Sequence, residues 1–419
     1  MLRILMIAYT AFSRDARVRR QAEAFAERGD HVDAICLDEP RRSLADGVSL
    51  IGVPIARYRG SSHHRYLGSY ANFFSRAAAC ALNLSRRNPY DVAIVCTLPD
   101  VAILSAVPLR AFGTRLVLDM HDTMPELYRD KFAGWRGKIG ARVLTICELV
   151  SASLADRALA VHELHAERLV AAGISAEKIR VVINSPDPTI FKRRDADERR
   201  ADGFNLVCHG TVTHRLGLDT ALEALAILRR RSAQAPHLTI IGDGDNLGEL
   251  KALAHRLGVG SLVTFKEPVP LELLPADLAS ATIGLAPYRA SAATHLMLPV
   301  KLLEYAALGI PTVCARLRTV QRYFGEGALE YFELGDANGL ADAIQRLNSD
   351  PVRRMEIADR AWRISVDLGW EEQRGRLFEA IDSVLLATRP DARLATALTR
   401  SNCQRPAGTS PPRRKDEDD

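Results

Sequence analysis

The chain opens on an uninterrupted apolar run, LRILMIA, after which Val18, Ala22, Phe25 and Ala26 recur at helical spacing. This pattern predicts a buried strand, a loop and an amphipathic helix that Gly29 ends. HVDAICL follows as a second apolar run, so the first 37 residues predict a βαβ unit on a parallel sheet. Strand-like runs recur at SLIGVPIARY, DVAIVCT, RLVLDM, RALAV and IRVVIN, separated by helical stretches, as in a doubly wound α/β domain. From Asn184 to Asp202 the pattern lapses into charge and proline and reads as a linker. The alternation restarts with FNLVCHG, a helix from Gly217 to Arg231, HLTIIGDGD, SLVTF, ATIGLAP and PTVCA. The expected fold class is α/β, with two Rossmann-like doubly wound domains facing across a cleft, over residues 1–187 and 188–369. Leu377, Ile381, Val384 and Leu385 mark a further amphipathic helix after Trp370, within 370–389, and the apolar-poor stretch 390–419 is expected to be disordered.

Composition narrows the function classes. Hydrophobic residues make up 47% and charged residues 26%, which excludes a disordered or fibrous chain. A net charge of +5 over 419 residues is too slight for a dedicated nucleic-acid binder, so no nucleic-acid partner is expected. The seven cysteines form no CxxC pair and most sit in apolar runs, as buried thiols do in a reducing compartment. The apolar start is too short for a signal peptide, and the charged RDARVRRQ lies where a cleavage site would be. Nowhere do eighteen apolar residues run without a charge, so a spanning helix is not expected. A cytoplasmic protein is expected, at most peripheral at the inner face of a membrane. Between Arg41 and Tyr90, eight arginines with His63 and His64 outweigh one acid, Asp46, and Tyr58, Tyr66, Tyr70, Phe73 and Phe74 are interleaved. Such a segment suits an anionic lipid surface, or else a solvated loop and a helix packed by its alanines and phenylalanines.

Candidate chemistry gathers in a few places. In LPVKLLEYAALGIPTV, Pro299 suits the first turn of a helix, and Lys301 and Glu304 then share one face. A helix start with a lysine suits a diphosphate, and Glu304 fits there if it reaches past the phosphates to a ribose diol. The alternative is a glutamate favouring a helix N-terminus beside a surface lysine. In CHGTVTHRLGLDTALEAL, Gly210 and Thr211 follow a strand end, and Arg215 precedes Gly217 at a helix start, a loop able to turn N–H groups and a cation towards phosphate. IGDGD, with Gly244, is a weaker site of this kind and reads first as a turn. In LVLDMHDTMPELY, Asp119, His121, Asp122 and Glu126 follow a strand end, and His121 is suited to proton transfer or to a sugar hydroxyl. His162 and His165 share a helix face without a third ligand nearby, and neither a metal nor a cofactor is expected.

Taken in order, RDARVRRQAEAFAERGDHV, DMHD, HGTVTHRLGLDTALEAL, LTIIGDGDNLGELKALAHRLGV and LPVKLLEYAALGIPTV resemble the large family four of retaining glycosyltransferases, of GT-B fold. The resemblance extends over nearly the whole chain, to about residue 385. It implies an N-terminal domain that holds a sugar or lipid-linked acceptor, a C-terminal domain that holds a nucleotide-diphospho-sugar donor, and a last helix crossing back to the first domain. It places Glu304, as the second glutamate of the family's E-x7-E motif, on the nucleotide ribose, with Leu298, Pro299 and Lys301 facing phosphate. The first glutamate would stand at Leu296 and is absent. Thr211 stands where the family has a basic residue, and Arg215 lies one position from the expected cation, at Leu216. YTAFSRDARV replaces a glycine-rich first loop, which makes Arg14 and Arg17 candidates for phosphate or acceptor. His121, Asp122 and Arg215 are the catalytic candidates, and Gly210, Thr211 and Gly244 join the donor site. The implied activity is retaining glycosyl transfer in polysaccharide or glycoconjugate assembly. A non-catalytic GT-B protein binding nucleotide sugars or a partner, and a nucleotide-sugar epimerase, are the alternatives.

Overall fold

A computed structural model describes residues 1–39, 44–55, 63–132, 134–193, 203–232 and 234–386. Strands β1 (Arg3–Ile7), β2 (His31–Leu37), β3 (Val48–Val53), β4 (Val92–Cys96), β5 (Arg115–Asp119), β6 (Arg157–Ala160) and β7 (Ile179–Val181) form a parallel sheet ordered β3-β2-β1-β4-β5-β6-β7. Strands β8 (Asn205–His209), β9 (His237–Ile241), β10 (Val263–Lys266), β11 (Ile283–Ala286), β12 (Thr312–Ala315) and β13 (Glu330–Phe332) form a second, ordered β10-β9-β8-β11-β12-β13. Helices cover both faces of each sheet, which is why the central strands read as unbroken apolar runs. Ile4 to Ile7 and Val92 to Val95 have no solvent exposure. β13 escapes the sequence pattern because it has three residues and one of them, the buried Glu330, is paired with Arg346 and Arg353.

Strand order reverses between β1 and β4 and again between β8 and β11, which opens a crevice at the carboxyl end of each sheet. The helix Ala16–Glu27 follows β1 with Asp15 as its cap, whose carboxylate accepts from Val18 N at 3.1 Å. The last described helix, Trp370–Leu386, lies on the first sheet. Its Trp370, Leu377, Ile381 and Leu385 share a core with Ile4, Met6 and Phe25, and Arg28 pairs with Asp382 at 3.0 Å. Residues 194–202 of the expected linker, and the expected disordered tail with Cys403, lie outside the described residues. The six described cysteines are free thiols. No helix among the described residues is long and apolar enough to cross a membrane.

The basic, aromatic segment requires a correction. Residues 40–43 and 56–62, with Tyr58, are outside the described residues, but on the helix His63–Arg87 the rings of Tyr70, Phe73 and Phe74 turn inward. Tyr70, Phe73 and Phe74 gather around Tyr9 with ring centroids 4.8, 5.2 and 6.4 Å away, and Phe73 is fully buried. These rings cover the sheet and are not offered to lipid.

Candidate functional site

The C-terminal half of the cleft is built by close approach of backbones. Gly210, just past β8, donates its N–H to Ile241 O at 3.0 Å, and Val212 donates to Asp243 O at 3.0 Å. A Cβ on Gly242 would stand 2.1 Å from Gly210 O, and one on Gly244 would stand 2.2 Å from Val212 O. The IGDGD turn is thereby locked against the loop after β8, and Gly244 is a packing residue of that loop pair. Asp243 accepts from Gly244 N at 2.8 Å, so its carboxylate closes the turn. Gly242→Ala is expected to destabilise the fold by about 1–3 kcal/mol, since backbone faces the new methyl and φ is +148°. Chemical denaturation measures this loss.

The helix Val300–Leu308 begins after Pro299, which occupies the cap position one residue before the helix. No side chain caps this end, and although Leu302 donates its N–H to Pro299 O at 3.0 Å, the N–H groups of Val300 and Lys301 at the start of the helix face outwards from its ladder. Lys301 is 8% exposed, and its ammonium lies 3.9 Å from Cys208 Sγ, 5.3 Å from the Tyr288 ring centre and 3.4 Å from where a Gly210 Cβ would be. Among the described residues no carboxylate comes within ion-pair distance of it. Glu304 is 7% exposed, and burial, opposed by Lys301 and Arg20, pushes its carboxyl up to about 7. His209 Nε2 lies 3.2 Å from Glu304 Oε2 but out of line for a hydrogen bond. Burial and then Lys301 push His209 down to about 3, so its ring stays neutral. Thr211 is exposed beside these groups, and Leu298 packs on the domain core just before Pro299.

Across the cleft, the sequence candidates divide. Arg17 is 5% exposed and its guanidinium is engaged: Nε and Nη2 donate to Asp119 at 3.0 and 2.6 Å, and Nη1 donates to Val182 O at 3.1 Å. It is a buried ion-pair partner, which corrects its assignment to phosphate or acceptor. Arg14, in the turn after β1, is exposed at the crevice. Asp119 also accepts from Gln21 Nε2 at 2.9 Å and lies 3.1 Å from His121 Nε2. Burial alone would raise the Asp119 carboxyl, but Arg17 and His121 outweigh it and hold the group well below the usual carboxylate range. An ionised Asp119 accepts from His121 Nε2 and so orients the ring. Cys96, Asp119 and His121 stand close enough to suggest a metal trio, yet the Asp119 oxygens already accept from Arg17 and Gln21 and face His121. Asp122 follows, pushed up by burial and pulled down by the charge of Arg215, from the second domain, and then of His121. Among the described residues the structure thus gathers Lys301, Glu304 and Gly210 on one wall, and His121, Asp122 and Arg215 towards the other.

Arg20, which the motifs did not single out, contributes, and His162, expected to share a helix face with His165, stands instead at the cap position before the helix. Arg20, 7% exposed, donates to Asn184 Oδ1 at 3.1 Å, stacks 4.6 Å over Trp370 and acts on the Glu304 charge from the first domain. The signal for it was an arginine on the buried face of an amphipathic helix. His162 caps the helix Glu163–Ala171 through Nδ1, which accepts from His165 N, and its Nε2 donates to Leu296 O at 2.7 Å. The position expected to carry a glutamate is therefore tied, by its backbone, to the first domain.

Residues 15–185 match the family described as glycosyl transferase 4-like domain, and residues 203–350 the family described as glycosyl transferases group 1. A GDP-mannose-dependent alpha-(1-6)-phosphatidylinositol monomannoside mannosyltransferase of Mycolicibacterium smegmatis is 32% identical over 216 residues, which is 50% of this chain and 55% of the relative. A D-inositol 3-phosphate glycosyltransferase of Catenulispora acidiphila is 28% identical over 392 residues, which is 87% of this chain and 89% of the relative. The sucrose-phosphate synthase structure from Thermosynechococcus elongatus superposes with a TM-score of 0.76 at 18% identity, over 93% of this chain and 100% of that one. Anabaena HepE in complex with UDP-glucose superposes with a TM-score of 0.68 at 17% identity, over 91% of this chain and 100% of that one. With both halves matched in order and the two-domain fold shared, the chain belongs to the family-four-type glycosyltransferases of GT-B fold.

Proposed function

We propose that the protein transfers a sugar, with retention of configuration, from a nucleotide-diphospho-sugar to a hydroxyl of a saccharide or lipid-linked acceptor met at a membrane surface. The observation that carries this reading is Lys301. A buried ammonium without a carboxylate partner is costly unless an anion completes it, and the uncapped N-terminus of its own helix points to the same anion. A diphosphate fits both. Glu304, one turn further on, accepts from the ribose hydroxyls. In the transfer step the bond from the sugar C1 to the diphosphate oxygen breaks while the acceptor oxygen bonds to C1 on the same face. The acceptor proton passes to the departing diphosphate. Lys301 and Arg215 stabilise the negative charge that grows there, and His121 orients the transferred sugar or the acceptor. The acceptor class is supported by the phosphatidylinositol monomannoside in the name of the M. smegmatis relative.

A panel of UDP-, GDP-, dTDP- and CDP-sugars tests the reading. A ligand that binds only the folded state at about a hundred times its Kd adds about 2.7 kcal/mol of stability, a clear rise in Tm. If no nucleotide sugar shifts Tm, the donor assignment falls. Leu296, in place of the first glutamate, favours the second reading, a protein that binds nucleotide sugar without turnover. Slow consumption of the bound donor with release of nucleotide diphosphate sides with the enzyme, and the anomeric coupling of the product tests retention.

The Glu304 carboxyl gives a pH dependence with a definite sign. Accepting from a diol favours the carboxylate, so donor binding expels a proton wherever the free site is protonated. Affinity for a nucleotide-diphospho-sugar, whose diphosphate does not titrate near neutrality, is expected to fall as pH drops below about 7, by up to about tenfold per unit. Glu304→Gln is expected to abolish this slope, as titration calorimetry across pH 5.5–8.5 (a range of about three units) would show. In the free protein the folded value stands above the unfolded 4.5. The stability contributed by this group is thus complete below about 4.5 and lost as pH rises through about 7, and Glu304→Gln is expected to melt above wild type at alkaline pH.

A further inference from the structure

The helix Gly134–Leu154 is built inside out. Its fully buried positions are small or polar, Gly137, Glu148, Ser151 and Ala152, with Leu149 and Leu154 packed partly against the core, and a Cβ on Gly140 would stand 2.1 Å from the Tyr128 ring. Five of its large apolar side chains point to solvent instead. Trp135 is 67% exposed, Ile139 52%, Val143 53%, Ile146 61% and Val150 49%. Spaced by four, four, three and four residues, they form one continuous stripe along the helix, opposite the buried positions. A surface helix of a globular domain has the reverse distribution, so the stripe is a contact face.

What covers it is indicated by charge. Arg136, Lys138 and Arg142 flank the stripe, and Arg129 and Lys131 end the adjoining helix Met124–Lys131; all five are exposed. Glu148, the one acid of the striped helix, faces inward and is bound to Arg168 Nη1 at 2.6 Å. Between the two helices lies a pocket of about 320 Å³ whose rim includes Arg129, Lys138, Arg142 and Thr145, with Glu126 also lining it. Glu126 is turned to Arg168 Nε at 2.7 Å. An apolar stripe with a tryptophan at one end and cations along its edges matches the interface of an anionic bilayer, acyl chains below and headgroup phosphates above.

We infer that the face of helix 134–154 seats the protein on an anionic lipid bilayer, with the basic pocket between it and helix 124–131 taking a phosphate of a lipid headgroup. The inference rests on the reading that the acceptor is met at a membrane. The location serves that chemistry, because helix 124–131 starts two residues after Asp122 and also packs on the second domain, where Asp130 accepts from Ala293 N at 3.2 Å. A glycolipid lying in the bilayer would present its head to the cleft mouth without leaving the membrane.

Flotation of the full chain with vesicles of phosphatidylcholine, with and without phosphatidylglycerol, tests the inference. The wild type is expected to float only with phosphatidylglycerol present, and less so at high salt. The exposed triple variant Trp135→Ser/Ile139→Ser/Ile146→Ser, and separately Arg136→Glu/Lys138→Glu/Arg142→Glu, should each lose at least about tenfold in partitioning. Trp135 emission should shift to the blue on binding and be quenched by acyl-brominated lipid, a response that Trp135→Phe removes. Nucleotide binding and transfer to a water-soluble acceptor should be unchanged in both triple variants. If the wild type fails to float, or floats as well as both variants, the inference is overturned. It is also overturned if the serine variant converts a dimer to a monomer with flotation unaltered, which would assign the stripe to a second copy. Because flotation needs no nucleotide, failure of the donor assignment and failure of the membrane face are read separately.

Discussion

Lys301→Ala is expected to weaken a nucleotide diphosphate by about tenfold to a hundredfold while leaving the corresponding nucleoside within about twofold, as read by calorimetry. The ammonium sits in the protein interior beside Gly210; on the proposed reading a phosphate completes it, and a nucleoside offers none. A charge-assisted hydrogen bond of this kind contributes about 1.5–3 kcal/mol. Lys301→Met, which keeps the apolar stem, should behave the same way and controls for packing. Glu304→Gln removes a charge and keeps the shape, and if the carboxylate holds a ribose diol the loss, again about tenfold or more, should appear with nucleoside and diphosphate alike. The two variants therefore separate by ligand. Unchanged binding in both, with the fold intact, would remove the donor site from this helix and leave the non-catalytic reading as the better one.

His121→Ala is expected to lower kcat by about a hundredfold or more, with the affinity for nucleotide diphosphate changed by no more than about twofold. The ring stands on the domain opposite Lys301 and Glu304, and its Nε2 is fixed by Asp119 at 3.1 Å while its backbone N donates to Thr97 Oγ1 at 3.0 Å. Arg17 reaches this ring only through Asp119. Arg17→Met would leave the fully buried Asp119 without its cation, which costs about 3–5 kcal/mol, so its kcat should be read together with its Tm. Loss of nucleotide binding in a folded His121→Ala protein would assign that ring to the donor instead. The substitution His121→Gln, which keeps a hydrogen-bond donor but cannot accept a proton, distinguishes orientation from proton transfer: kcat is kept in the first case and lost in the second.

The architecture was legible because its signals are local. Apolar runs closed by helical spacing are imposed wherever a parallel strand is covered on both faces, and β1, β4, β5, β8 and β12 announce themselves in this way. The candidates Lys301, Glu304, His121 and Arg215 were legible too, since each stands at a strand end or helix start where an α/β fold opens its crevice. By itself, the amino-acid sequence determined two doubly wound domains and the family.

The tertiary structure decided the matters that depend on distant neighbours. Arg17 and Arg20 stand three apart in one charged run, and only packing shows Arg17 locked on Asp119, 102 positions away, and Arg20 reaching the Trp370 ring. Nothing in the run distinguishes a structural arginine from a cleft arginine, because burial is set by what the fold lays over the helix. The aromatics near Tyr70 and the stripe on helix 134–154 show the same limit in opposite directions. Both read as apolar residues at helical spacing, and only the placement of Tyr9 on one and of solvent on the other decides which face is core and which is contact. Helical periodicity fixes which residues share a face, and the rest of the molecule determines what that face meets.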